Sequence, residues 1–162
     1  MLEKIVSGGQ TGVDRGVLDA ALAAGFACGG WCPRGRKAED GRIADRYPLR
    51  EISQGGYQER TVRNVQDSDG TLIIFRDRLA GGTLATVGFC IREGKPMKLL
   101  DAAEIPVGRA VELVLAFVEQ ESISVLNIAG PRESGWRGAA DYTADVMGRV
   151  LQQVNTGNTN AS

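Results

Sequence analysis

Apolar residues along the chain fall into two alternating rhythms. Short segments rich in apolar residues lie at 26–31, 71–75, 97–100 and 124–129, with Ile5-Val6 closing a shorter one over 3–6 and Leu49 and Ile52 bounding one over 49–52, and they predict strands. Between them the apolar spacing opens to three and four residues. Val13, Val17, Ala21 and Ala24 form one such stripe with Leu18 and Leu22 beside it, and Val111, Val114, Leu115 and Val118 form another. Helices are predicted over 13–24, 57–66, from the Gly81-Gly82-Thr83 turn to about Glu93, over 107–120 and over 139–154. Gly25 stops the first helix, and Gly94-Lys95-Pro96 breaks the third.

Apolar strands that alternate with helices imply an α/β fold in three layers: a mainly parallel sheet of five or slightly more strands, covered by helices on both faces through right-handed crossovers. Residues 49–52 are expected at an edge. Residues 1–154 are expected to form one ligand-binding domain, and 155–162 a flexible polar tail.

In such sheets ligands bind beyond the carboxyl ends of the strands. Four glycine-rich segments follow strands and are expected on that edge: 8–12, 29–35, 81–83 and 130–135. The first reads Ser7-Gly8-Gly9-Gln10-Thr11-Gly12-Val13-Asp14-Arg15 and runs straight into a helix. Its glycines let the backbone approach an anion closely, and the first N–H groups of the helix point at that anion. Arg15 opposes the helix dipole from within the first turn, which is unfavourable unless a negative group offsets it. A tight turn capped by Thr11 or Asp14 is the other reading of the same residues.

Charge and composition narrow the chemistry. The 162 residues carry 19 basic and 20 acidic side chains, a net charge of −1, so a broad nucleic-acid-binding face is not expected. Basic residues do gather locally: Arg34, Arg36, Lys37, Arg42 and Arg46 have only Glu39, Asp40 and Asp45 among them, which makes either an anion-facing loop or a solvated one. This loop, residues 33–48, exceeds the length of about 12 beyond which loops in compact domains are usually functional or mobile. On the second predicted helix the spacing puts Arg60, Arg63 and Asn64 on one face. No run approaches the roughly 18 apolar residues of a membrane span, and the sequence opens into a strand without an apolar signal region, so a cytoplasmic location is expected. With no histidine in the chain, every His-based triad, base and metal site is excluded. On a single strand Cys28 and Cys32 would stand about 13 Å apart, beyond the roughly 7 Å that a disulfide spans.

The runs SGGQTGVDRGVLDAAL, GGWCPRGRKAEDG, ERTVRNVQDSDGTLII, AGGT and LNIAGPRES resemble the molybdenum cofactor carrier family. That family is a branch of the Rossmann-like SLOG superfamily, which also holds the lysine-decarboxylase-like (LOG) nucleoside-monophosphate phosphoribohydrolases. The resemblance implies a Rossmann-like fold, a homo-oligomer, molybdenum cofactor or a nucleotide as ligand, and molybdoenzymes as acceptors; the apolar faces of the helices over 107–120 and 139–154 serve either to pair across a two-fold or to cover the sheet. It also implies a set of site residues. The anion loop falls on Gly8, Gly9, Gln10, Thr11 and Gly12, with Asp14 and Arg15 opening the helix; the basic loop supplies Trp31, Cys32, Arg34 and Arg36; the later turns supply Gly81, Gly82 and Thr83, then Gly130, Pro131, Arg132, Glu133 and Ser134. The phosphoribohydrolases carry a PGGxGTxxE signature. Here Ala80-Gly81-Gly82-Thr83 keeps only its double glycine, and alignment on Thr83 puts Thr86 in place of the glutamate, which argues against the same hydrolysis.

A carrier of this kind holds a pterin and a terminal phosphate, while the dithiolene of the cofactor holds the metal. The phosphate is expected on the 8–12 turn, with Thr11 donating its hydroxyl and Arg15, Arg34 or Arg132 pairing with it. An adenine nucleotide satisfies the same groups. Trp31 either stacks on a heterocycle or packs. Cys32, beside Arg34 and Arg36, is either a thiol of lowered pKa or an inert one, and Cys28 and Cys90 read as core. For the alternative, a nucleotide-cleaving enzyme, Glu39, Asp40 and Glu133 are the acid and base candidates near the loops.

Overall fold

The structure is a computed structural model that describes residues 1–159. Its elements run β1 (Lys4–Val6), α1 (Val13–Ala23), β2 (Cys28–Gly29), β3 (Trp31–Cys32), β4 (Lys37–Ala38), β5 (Gly41–Arg42), β6 (Arg50–Glu51), α2 (Tyr57–Gln66), β7 (Gly70–Phe75), α3 (Gly81–Glu93), β8 (Met97–Asp101), α4 (Val107–Gln120), β9 (Val125–Ala129) and α5 (Ala139–Thr159). The central sheet has five strands in the order β2-β1-β9-β7-β8. Every pair in it is parallel, giving the Rossmann-like α/β arrangement expected from the sequence.

Alternation along the strands divides the sheet into two unlike faces. Ile5, Leu72, Ile74, Leu100, Leu126 and Ile128 belong to the main core, where they meet Val13 and Val17 of α1, Val111 and Val114 of α4, and Met147 and Leu151 of α5. The apolar stripes of α4 and α5 are therefore used within the chain. Helices α2 and α3 cover the other face with a much smaller apolar cluster, Val65, Phe89 and Cys90, against which Val62 and Met97 pack. On that face the strands present polar side chains: Thr71 and Asn127 are both buried, and the Asn127 amide donates to the Thr71 hydroxyl at 3.2 Å.

The expected strand over 26–31 is broken. At Gly30 the backbone takes a φ of 127°, so β2 stays in the central sheet while β3 leaves it and pairs in parallel with β6. Cys28 and Cys32 thus lie in different sheets, and all three cysteines are free. The segment expected to be irregular over 33–48 contains the β4–β5 hairpin and is organised by Arg36. That guanidinium, only 8% exposed, donates to the carbonyls of Ile43 (3.0 Å), Ala44 (2.7 Å), Tyr47 (2.9 Å) and Leu49 (3.2 Å). Leu18, Cys32, Ile43 and Tyr47 form a separate apolar cluster there. At the other end of the chain α5 continues to Thr159, past the boundary expected at Val154. The remainder of the expected tail, 160–162, lies outside the described residues. No helix among the described residues is long and apolar enough to cross a membrane.

Candidate ligand-binding site

Helix α1 leads from β1 outward to β2, and α3 leads from β7 outward to β8 in the opposite direction, so the sheet diverges around the inserted β9. A crevice is expected at the carboxyl ends of the strands there. The structure has a cavity of about 1010 Å³ at this place, lined by Gly8, Gln10 and Asp14 beyond β1, Asn127 to Ala129 at the end of β9 and Gly130 to Arg132, Ser134 and Trp136 beyond it, and Arg76 and Arg78 beyond β7. Its wall and roof come from Tyr57, Arg60 and Asn64 of α2 and from Gly81, Gly82 and Thr83 at the start of α3.

The turn over 8–12 is packed with protein. A Cβ on Gly12 would stand 2.4 Å from the Pro131 carbonyl oxygen, so its glycine admits the loop after β9 and leaves no room for a ligand. The Val13 N–H donates to Pro131 at 3.2 Å. The anion expected here is supplied by the chain itself. Asp14, 4% exposed, accepts the Gln10 N–H at 3.1 Å and the Arg60 guanidinium at 3.0 Å. Burial pushes the Asp14 carboxyl above the usual carboxylate range, while Arg60 and the Gln10 N–H pull it back. Arg15 finds its negative partner in Asp40, through two bonds of 2.9 Å, and its third donor reaches the Gly9 carbonyl. The Thr11 hydroxyl donates to Glu39 and accepts the Glu133 N–H at 3.2 Å, so it ties three loops together.

The open turn is the later one. Gly81, with φ of +53°, and Gly82 have nothing within 4 Å of a notional Cβ. The first intrahelical bond there runs from the Leu84 N–H to Ala80, and no side chain caps the helix. Among the described residues the N–H groups of Gly81, Gly82 and Thr83 have no protein partner, which is the arrangement that favours an anion at a helix start. Arg132 lies over the Tyr57 ring at 5.0 Å, with no carboxylate within 4.0 Å among the described residues. Two further donors are unmet: Gln10 Nε2 and Arg60 Nε are buried without partners. The Gln10 carbonyl oxygen is already taken by the N–H groups of Thr11 (3.0 Å) and Glu39 (2.9 Å), which fixes the amide and leaves its nitrogen on the other side. Buried donors of this kind ordinarily have an acceptor, and both residues line the cavity.

Of the residues expected at the site, the structure brings Gly8, Gln10, Asp14, Gly81, Gly82, Thr83, Gly130, Pro131, Arg132 and Ser134 around this cavity. Gly9, Thr11, Gly12 and Arg15 lie behind it. Glu133 turns away: its carboxylate accepts the N–H groups of Gly138 and Ala140 and caps the start of α5. Cys32 and Arg36 are buried elsewhere, and Arg34 is exposed without lining the cavity. Burial pushes the Cys32 thiol up, outweighing Arg36, so the lowered-pKa reading fails. Arg60 and Asn64 do face the cavity, but Arg63 and Trp31 lie against the opposite side of α2, 4.4 Å from guanidinium to ring. Arg63 lies only about 60° around the helix from Arg60, and the boundary between the two sides falls between them. The sequence reading missed Tyr57, Arg76, Arg78 and Trp136. The run Arg76-Asp77-Arg78, directly after the most apolar strand, was the signal for two of them.

Residues 5–151 match the circularly permutated YpsA SLOG family. A crystal structure of a protein named "Putative molybdenum carrier protein", from Syntrophus aciditrophicus SB, is similar to this chain, with 41% identity and a TM-score of 0.89 over 93% of this chain and 94% of that one. No curated protein matches the chain.

Proposed function

Given that the chain belongs to the circularly permutated YpsA SLOG family, we propose that it is a molybdenum cofactor carrier, holding the phosphate-bearing pterin in the cavity at the carboxyl edge of the sheet without turning it over. The observation that carries this reading is the open start of α3, where three N–H groups are free in a cavity that Arg132 also lines, together with Gln10 and Arg60, whose Nε2 and Nε have no partner. A terminal phosphate there gains charge-assisted hydrogen bonds from backbone and guanidinium together. Tyr57 and Trp136 give the cavity the flat apolar surface that a fused ring needs. The cofactor supplies its own sulfur ligands to the metal, and the chain binds and orients the organic part. The structural neighbour's name agrees with a carrier role.

Carriage without cleavage is favoured by the state of the carboxylates. Glu133 caps α5, Asp40 is paired with Arg15, and Glu39 accepts the Ser134 hydroxyl at 2.6 Å. Thr86, where the related hydrolases have their glutamate, donates its hydroxyl to the Gly82 carbonyl at 2.9 Å.

The test is an anaerobic calorimetric titration with molybdenum cofactor, with AMP and ADP-ribose as competitors, on the native chain and on Gly82→Ala and Arg132→Ala. Binding that each substitution weakens about tenfold or more, worth roughly 1.4 kcal/mol, is the expected result. Nucleotide binding with no cofactor signal would overturn the carrier reading and favour a nucleotide sensor or hydrolase.

A further inference from the structure

Helix α2 separates two cavities. Tyr57, Arg60, Thr61 and Asn64 face the one already described, while Glu59, Val62 and Arg63 face another of about 620 Å³, which α3 and the β3–β6 pair complete. The division follows the helical period, since the two sets lie roughly 180° apart at about 100° per residue.

The floor of this second cavity is apolar, made by Trp31, Ile52, Val62 and Phe89. Trp31 is fixed before anything binds. Its backbone N–H donates to Asn64 Oδ1 at 2.8 Å, its carbonyl accepts Asn64 Nδ2 at 3.0 Å, and its indole N–H donates to Asp67 at 2.7 Å. The rim holds charges of both signs, but they are not equally free. Glu51 accepts the Gly35 N–H at 2.6 Å, and Glu59 accepts the Gly56 N–H at 2.7 Å. Arg63 makes no ion pair among the described residues and rests over the Trp31 ring, 4.4 Å from its centroid, while Arg92 has only Glu93, at 3.7 Å, and lies 5.2 Å from the Phe89 centroid. The recognition chemistry left over is therefore a rigid indole with two cations above an apolar floor.

We propose that this cavity is a second binding site, for a flat aromatic ring bearing one acidic group, with the ring on Trp31 and Phe89 and the acid paired to Arg63 and Arg92. It does not rest on the reading of the larger cavity, with which it shares Gln58 and Phe89. Ring stacking on an aromatic wall and bidentate pairing with a guanidinium are complementary demands, and a neutral ring would meet only the first.

The probe is naphthalene-2-carboxylate, with neutral 2-naphthamide as its control. Calorimetry on the native chain is expected to show saturable one-to-one binding of the acid, at least tenfold tighter than the amide and unchanged by excess ADP-ribose. Trp136→Phe leaves Trp31 as the only tryptophan, and its fluorescence is expected to be quenched with the same midpoint. Arg63→Gln and Arg92→Gln should each weaken the acid tenfold or more. Neither residue lines the larger cavity, so their loss locates the probe whatever that cavity binds. Absence of saturable binding, equal affinity for acid and amide, or full affinity in both arginine variants would overturn the proposal.

Discussion

On one face of the sheet Leu126 is sealed under α1, α4 and α5; on the other, its chain neighbour Asn127 borders the larger cavity. The same five residues of β9 thus serve two purposes, one per face, because a strand sends successive side chains in opposite directions. The packed face is dense and apolar. The other is covered by only two helices and a small apolar cluster, and what it gives up in burial it keeps as volume and polar lining. Stability and binding should therefore separate between adjacent residues.

The sharpest break of this contrast is Leu126→Ala, which removes a fully buried side chain from the packed face. It is expected to lower unfolding stability by about 2–5 kcal/mol, measured by urea denaturation, while the folded fraction keeps its affinity in the cofactor titration. A cost below about 1 kcal/mol would mean that this face carries much less of the fold than its packing implies. One residue on, Asn127→Leu should cost only about 1 kcal/mol, since it removes a single hydrogen bond to Thr71. Its larger effect is expected in the titration, because the new side chain would occupy the cavity floor.

The smallest effect lies at the rim, where Glu39 ties the β4–β5 hairpin to the loop after β9. Hydrogen bonds from Ser134 first and Thr11 second hold the Glu39 carboxyl below its ordinary value of 4.5. A carboxyl lowered in the folded state contributes stability that is fully present above its unfolded pKa and is lost as pH falls through the lowered one. The protection of the Ser134 amide against exchange, relative to the intrinsic rate at each pH, should fall in the native chain as pH is taken down below 4.5. Glu39→Gln should flatten that dependence.

The central strands were legible because each is an apolar run, and β7, with five of its six residues buried, was the clearest. β6 falls inside the strand expected over 49–52, but its pairing with β3 and the β4–β5 hairpin did not show: each of these strands has two residues, and Arg50-Glu51 of β6 are charged and exposed, so no local pattern marks their partners. At the site, the glycines were found but half of their purpose was misread. Gly12 makes room for the backbone of 131–133, whereas Gly82 borders open space. A close approach imposes the same demand on sequence whether the approaching group is a ligand or another part of the protein. Arg15 likewise announced an anion, and it took the fold to bring Asp40 across 25 positions to meet it.

Arg36 has a consequence for how the basic loop changes over evolutionary time. Its guanidinium collects carbonyls from residues 43, 44, 47 and 49, so the path of that loop is stored in one side chain and in backbone groups that every amino acid possesses. Residues such as Arg42, Asp45 and Arg46 can then drift in identity without redrawing the loop, whereas a lysine at 36, lacking the planar fork, could not hold all four carbonyls at once. Conservation concentrated at one position and tolerance at its neighbours is the pattern such a hub imposes on a lineage.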